Sequence, residues 1–266
     1  MTDLSIRAEL EKLALALGCP VNQLDCVAAL DVAALRRLRG AVSAALFDRH
    51  AARFKRLADS TRLLPNRIVA IIAEKAIGPT LSAQIAGLID PDDAEDLATR
   101  LPVPFQADIC IQLDPRRAGP MLRAMPVEHV VTVAMELQRR EAFIAMARFV
   151  DDLNDEQIDA VSRRISPEAL LQVGFYVESA HRLEELVHAL PPELLAHTLE
   201  AAAARNGQLW PQAVAILTAL SPEGQEALIR PLAEKGKSMR AELERLSPGW
   251  DELPADLQRR LEAVLQ

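Results

Sequence analysis

The sequence predicts an all-α protein, an α-solenoid or superhelix of short antiparallel helices behind a longer N-terminal helical cap. A proline-marked beat of about twelve residues runs through the middle of the chain. Apolar residues between the marks recur at spacings of three and four, and no strand-like run is flanked by hairpin turns. Half of the 266 residues are apolar and 26% are charged, enough for a large core in one long domain or two ordinary ones.

The beat is cleanest at Ile89-Asp90-Pro91, Leu101-Pro102, Leu113-Asp114-Pro115 and Met125-Pro126, whose prolines lie 11, 13 and 11 residues apart. It resumes at Leu153-Asn154-Asp155, Ile165-Ser166-Pro167, Leu190-Pro191-Pro192 and Leu220-Ser221-Pro222. Such an interval suits a helix of two to three turns and a tight connection. Asp90, Asp114, Ser166 and Ser221 are the expected N-caps, each followed by a proline at the first helical position, where a missing N–H costs nothing. Ala94, Leu97, Ala98 and Leu101 follow Pro91, and Ala118, Met121, Leu122 and Met125 follow Pro115, each set forming a helical stripe. Ile109-Cys110-Ile111 and Val130-Val131-Thr132-Val133 have strand-like composition but sit inside the beat, and read as helix. Leu97, Leu101, Leu113, Leu122, Ile165, Leu190 and Leu220 are the expected core. Helices this short are unstable alone in water, so each must bury its stripe on neighbours.

Three regions follow: an N-terminal cap over residues 1–62, repeats over 63–235, and capping helices over 236–266. The cap is expected to contain one long helix over 31–58, which has no internal proline. At the far end Pro231 to Leu246 and Glu252 to Leu265 read as helices, the last with Leu253, Leu257, Leu261 and Val264 on one face.

Thirty basic against 38 acidic residues give a net charge of −8, a field that repels nucleic acid and anionic lipid away from any local basic patch. Two Trp, one Tyr and six Phe leave little material for base stacking, so nucleic acid is not an expected partner. One basic stretch stands out. Arg36, Arg37, Arg39, Arg49, Arg53, Lys55, Arg56, Arg62 and Arg67 against Asp31, Asp48 and Asp59 give +6 over residues 31–67, leaving −14 elsewhere. Its plain role is to solvate a helix or pair with the acidic remainder. Its functional role is a docking surface for an acidic protein partner, with Arg49, Arg53 and Arg56 on one face at spacings of four and three.

No apolar run reaches the roughly 18 residues that span a bilayer, and the first residues lack a signal-like apolar stretch. A cytoplasmic protein of bacterial type without membrane insertion is expected. Cys19, Cys26 and Cys110 are too few and too scattered for a disulfide framework or a zinc site.

The remaining clusters have plain explanations. Asp90, Asp92, Asp93, Glu95 and Asp96 would offer oxygens to Mg²⁺, with Asp92, Asp93 and Asp96 the candidate ligands, but a helix N-terminus favours acids there without any ion. The same holds for Asp151, Asp152, Asp155 and Glu156. No cofactor is expected. His181, Glu184 or Glu185, and His188 share a helical face, yet the two histidines stand seven residues apart, roughly 10 Å of rise, where a zinc protease needs four. Gly236-Lys237-Ser238 ends like a phosphate loop, but Pro231 occupies the first glycine position and no strand leads in; Gly236 reads instead as a helix C-cap. No nucleophile, base and oxyanion turn come together in sequence, so the chain is not expected to be an enzyme.

The stretch from Ile89 to Pro126 resembles the cytoplasmic N-terminal domain of MgtE-type magnesium transporters, a superhelix in which L-x-P-x-x-A-x-x-L units alternate with L-P units. The matching residues are Pro91, Ala94 and Leu97, then Leu101-Pro102 with Ala107, then Leu113-Asp114-Pro115 with Ala118 and Leu122. Weaker echoes extend the resemblance over residues 63–235, and similar repeats occur in flagellar-motor switch proteins of the FliG type. The resemblance implies a superhelical fold. In that family acidic residues sense magnesium at a contact with CBS domains; no CBS-like or transmembrane segment is found here, and transport is not expected. The reading is a non-catalytic interaction or scaffolding module, with a magnesium-responsive regulatory module as the alternative, and a cryptic enzyme or nucleic-acid-binding repeat protein beyond that.

Overall fold

The computed structural model describes residues 2–61, 63–89, 91–234 and 254–264, and all regular structure among them is helical. The chain divides into two compact units, Met1–Ala145 with Asp152–Asn154, and Met146–Asp151 with Asp155–Gln266.

In the first unit α1 (Thr2–Leu17) packs on α2 (Val32–Asp48), with a 3₁₀ segment, Val21–Val27, between them. Leu10, Leu13, Ala14, Leu24 and Leu35 form their shared core. Asp31 caps α2 by accepting a hydrogen bond from the Ala34 amide at 2.7 Å. The expected single helix over 31–58 is broken. α2 stops at Asp48, Arg49 and His50 turn, and α3 runs over Ala51–Thr61. The His50 amide reaches only to the Phe47 carbonyl, and the His50 carbonyl then accepts from the Arg53 and Phe54 amides. In a straight helix Phe47 and Phe54 would be separated by roughly 10 Å of rise. The bend brings their rings to 5.5 Å, and the Arg117 guanidinium lies over Phe47 at 3.2 Å. Packing between distant residues makes this break, which explains why no proline or glycine announces it.

From α4 (Asn66–Ile72) onward the helices are short, and those at the proline marks start where the sequence predicts. α4 continues into a wider π-turn, Ala73–Ile77, which Gly78 ends at φ +80°, a conformation that L side chains resist. Then come α5 (Pro79–Ala86), α6 (Pro91–Arg100), α7 (Val103–Gln112), α8 (Pro115–Ala124) and α9 (Val127–Arg139). Asp114 accepts from the Arg116 amide, with Pro115 at the first helical position. Asp90 lies outside the described residues. The two strand-like runs lie in α7 and α9, both helical. Alternate helices pack together: α5 on α7 and α7 on α9, α4 on α6 and α6 on α8. Buried Ala83, Ala94, Ala107 and Ala118, one on each of α5 to α8, keep their side of each helix small.

α10 (Phe143–Phe149) spans the division between the units. The second unit holds α11 (Asp155–Ser162), α12 (Pro167–Tyr176), α13 (Ala180–Ala189), α14 (Pro192–Gly207), α15 (Trp210–Ala219), α16 (Pro222–Ile229), a 3₁₀ turn at Arg230–Glu234, and α17 (Ala255–Val264). Ser166 and Ser221 cap α12 and α16 through the Ala169 and Gly224 amides. Leu171, Leu183, Leu199, Trp210, Leu217, Leu228, Leu257 and Leu261 share one core. Glu184 of α13 reaches the start of α16, accepting from the Ser221 hydroxyl at 2.5 Å and the Ser221 amide at 3.1 Å. A Cβ at position 224 would collide with that carboxylate, so Gly224 permits the approach.

Of the expected core, Leu97, Leu113, Ile165 and Leu220 are buried; Leu101, Leu122 and Leu190 are partly so. The helix expected from Pro231 begins in the 3₁₀ turn and otherwise lies outside the described residues, as do Gly236, Lys237 and Ser238. No helix among the described residues is long and apolar enough to cross a membrane.

Candidate interaction surface

The basic stretch divides by destination. Glu9 of α1 is buried at 2% exposure, and its carboxylate accepts from Lys12 Nζ at 3.0 Å, Arg36 Nε at 3.0 Å and an Arg39 terminal nitrogen at 3.4 Å. Arg36 and Arg39 therefore fasten α2 to α1, which accounts for part of the +6 stretch as internal pairing. That acid lies 27 and 30 residues away, too far for helix spacing to reveal it.

Arg49, Arg53 and Arg56 go the other way. All three are exposed and form no ion pair with a described residue. Arg49 occupies the turn that ends α2, with its amide on the Ala45 carbonyl at 3.3 Å, while Arg53 and Arg56 lie three apart on α3. The three thus line a bend instead of one straight helix. Arg56 donates to the Ala52 carbonyl of its own helix at 3.2 Å, which steadies its stem and leaves the rest of the guanidinium exposed. Arg37, Lys55 and Arg67 are exposed as well. Arg62 and the side chain of Asp92 lie outside the description.

Of the acidic candidates, Asp96 is committed to protein contacts. Asp96 takes two hydrogen bonds from Arg100, at 2.7 and 3.0 Å, and one from Asn66 at 2.9 Å. These hold its carboxyl below the usual range, with Arg100 the larger cause. Asp93, three residues earlier, is half-buried. Among the described residues no three His, Cys, Asp or Glu side chains are grouped to hold a metal ion. Asp152 pairs with Arg123 at 3.5 Å, while burial raises the Asp151 carboxyl against the pull of Arg182. In the histidine face, Glu184 is taken by Ser221 and Glu185 pairs with both Arg182 and His181, so its acids are already in use.

Two features escaped the sequence reading, and the first is polar. Gln106 donates back to the Ala98 and Leu101 carbonyls at 2.8 and 2.7 Å and meets His129 at 2.6 Å, closing the C-terminus of α6. Gln225 does the same for α15 through the Leu217 and Leu220 carbonyls, at the same offsets of eight and five residues. A glutamine five residues after the leucine of the proline mark is the signal that would have found them. Arg140 ties α9 to α7 through Asp108 at 2.5 Å and the Pro104 carbonyl at 2.8 Å, with Glu136 held between Arg139 and Arg140.

The second feature is apolar. Every large apolar side chain counted as exposed among the described residues lies between Leu17 and Ile72, and six lie between Leu57 and Ile72. Compared with known protein families, curated proteins and solved structures, the chain finds no match.

Proposed function

We propose that the chain is a non-catalytic interaction or scaffolding module built on helical repeats, and that it docks an acidic protein partner through Arg49, Arg53 and Arg56. The observation that carries the reading is the contrast within the basic stretch: Arg36 and Arg39 are spent on Glu9, whereas these three arginines remain exposed and pair with no acid among the described residues. Guanidinium groups suit this task because each presents a planar fork to a carboxylate and sheds water more readily than an ammonium. Support for a repeat scaffold comes from the alternate-helix packing of α4 to α9 and the recurring proline-marked starts. Stacked repeats bury each short helix on its neighbours and leave a long outer surface for partners, the arrangement expected from the MgtE-type resemblance.

The test is affinity capture from the native host with the wild-type chain and with Arg49→Glu/Arg53→Glu/Arg56→Glu. A partner retained by the wild type and lost by the triple variant, at unchanged melting midpoint, supports the reading. A partner that still binds the variant at physiological salt places docking elsewhere and overturns it.

A further inference from the structure

α4 is apolar on both sides. Val69 and Ala70 face inward, with Leu97, Ile89 and Leu101 against them. The outward side carries Ile68, Ile71 and Ile72 at 45%, 53% and 37% exposure, and Leu63 in the preceding turn stands at 84%. Positions 68, 71, 72 and 75 fall three, four and seven apart, so the isoleucines form one stripe ending at Lys75 and bordered by Arg67. A helix that is apolar all round is normally covered all round. Among the described residues none covers the outer half, and its isoleucines stand exposed.

We infer that the outer face of α4, with the turn before it, adsorbs to an anionic lipid surface. The charge of the segment points there. Residues 49–75 contain Arg49, Arg53, Lys55, Arg56, Arg62, Arg67 and Lys75 against Asp59 and Glu74, a net of +5 in a chain of −8. Such a local patch overrides the repulsion of the acidic remainder at short range, because salt screens charges beyond about 10 Å. Aliphatic tips sink to the boundary between headgroups and acyl chains while arginine and lysine stay with the phosphates. Exposure decides against a groove for a partner helix, since residues on a groove floor are shielded by its walls and these side chains project. A second copy is disfavoured because a two-fold contact would set the +5 segment against itself. The inference goes beyond the docking role of Arg49, Arg53 and Arg56: those three add to the charge of the same segment, but the contact is made by Ile68, Ile71, Ile72 and Arg67.

Vesicle co-sedimentation tests it, using pure phosphatidylcholine and phosphatidylcholine with about 30% phosphatidylglycerol as probes. The wild-type chain should pellet with the anionic vesicles only, less so as salt rises. Ile68→Ser/Ile71→Ser, at two outward positions, should weaken partitioning at least about tenfold with an unchanged helical spectrum and melting midpoint. Arg67→Glu should weaken it independently, without altering any apolar contact. Failure of the wild type to pellet with anionic vesicles, or equal binding by the double isoleucine variant, overturns the inference. So does a wild-type dimer in sedimentation velocity that the same variant abolishes, which would give the face to a second copy. None of these outcomes bears on partner capture through Arg49, Arg53 and Arg56.

Discussion

Glu9→Gln is the substitution that most sharply separates the internal arginines from the external ones. The carboxylate is buried at 2% exposure and takes bonds from Lys12, Arg36 and Arg39, of which the Lys12 side chain is exposed by only 3% and Arg39 by 12%. Glutamine keeps the shape but removes the charge and turns an N–H₂ group toward one of the cations. Removing one partner of a buried ion pair costs about 3 to 5 kcal/mol, because the remaining charge is left in a low-dielectric site. Arg36 is 41% exposed, so solvent screens its share, and about 3 kcal/mol is the expected loss. Lys12→Met, by contrast, leaves Glu9 with two guanidinium groups and should cost about 1 kcal/mol or less. Urea unfolding, read on the transition of the first unit, measures both, and a lower midpoint at unchanged slope marks a stability effect. A loss under about 1 kcal/mol for Glu9→Gln would refute the argument that Arg36 and Arg39 are structural ties.

Three further outcomes are expected. Leu113→Ala, at a side chain with 2% exposure, should destabilise by about 2 to 5 kcal/mol as a large-to-small core change, and a loss under 1 kcal/mol by urea titration would mean that the junction between α7 and α8 is not buried as described. Arg139 and Arg140 hold the Glu136 carboxyl at about 2, below its ordinary 4.5, so the stability it contributes is complete above pH 4.5 and is lost as pH falls toward 2. The wild-type melting midpoint should therefore drop more across that window than that of Glu136→Gln; parallel curves would count against the pair. Burial pushes the Cys110 thiol up to about 12, whereas Cys26 is exposed, so iodoacetamide at pH 8 should label Cys26 first and leave Cys110 unmodified until the chain unfolds.

The helix starts were legible in the sequence because their chemistry is local. Ser166 with Ala169, Ser221 with Gly224, and Asp114 with Arg116 are contacts between near neighbours, and a proline beside each cap fixes the first turn. Strand-like Val130 to Val133 read correctly as helix because the surrounding beat outweighs β-branched composition. What stayed hidden depends on residues far apart. The break between α2 and α3 follows from Phe47, Phe54 and Arg117 meeting in space, and the fate of Arg36 and Arg39 was set by Glu9 on another helix. The outward isoleucines of α4 were visible as letters but not as a surface. Ile68-Val69-Ala70-Ile71-Ile72 shows no polar side, and only packing decides which two of the five are buried.

Hydrogen exchange on the complex with a captured partner tests the docking claim most directly, since it reports on backbone amides without altering any arginine. The account predicts new protection over residues 49–61, the bend and α3, with little change in α12 to α16. Protection confined to other segments, with 49–61 exchanging as in the unbound chain, would contradict it.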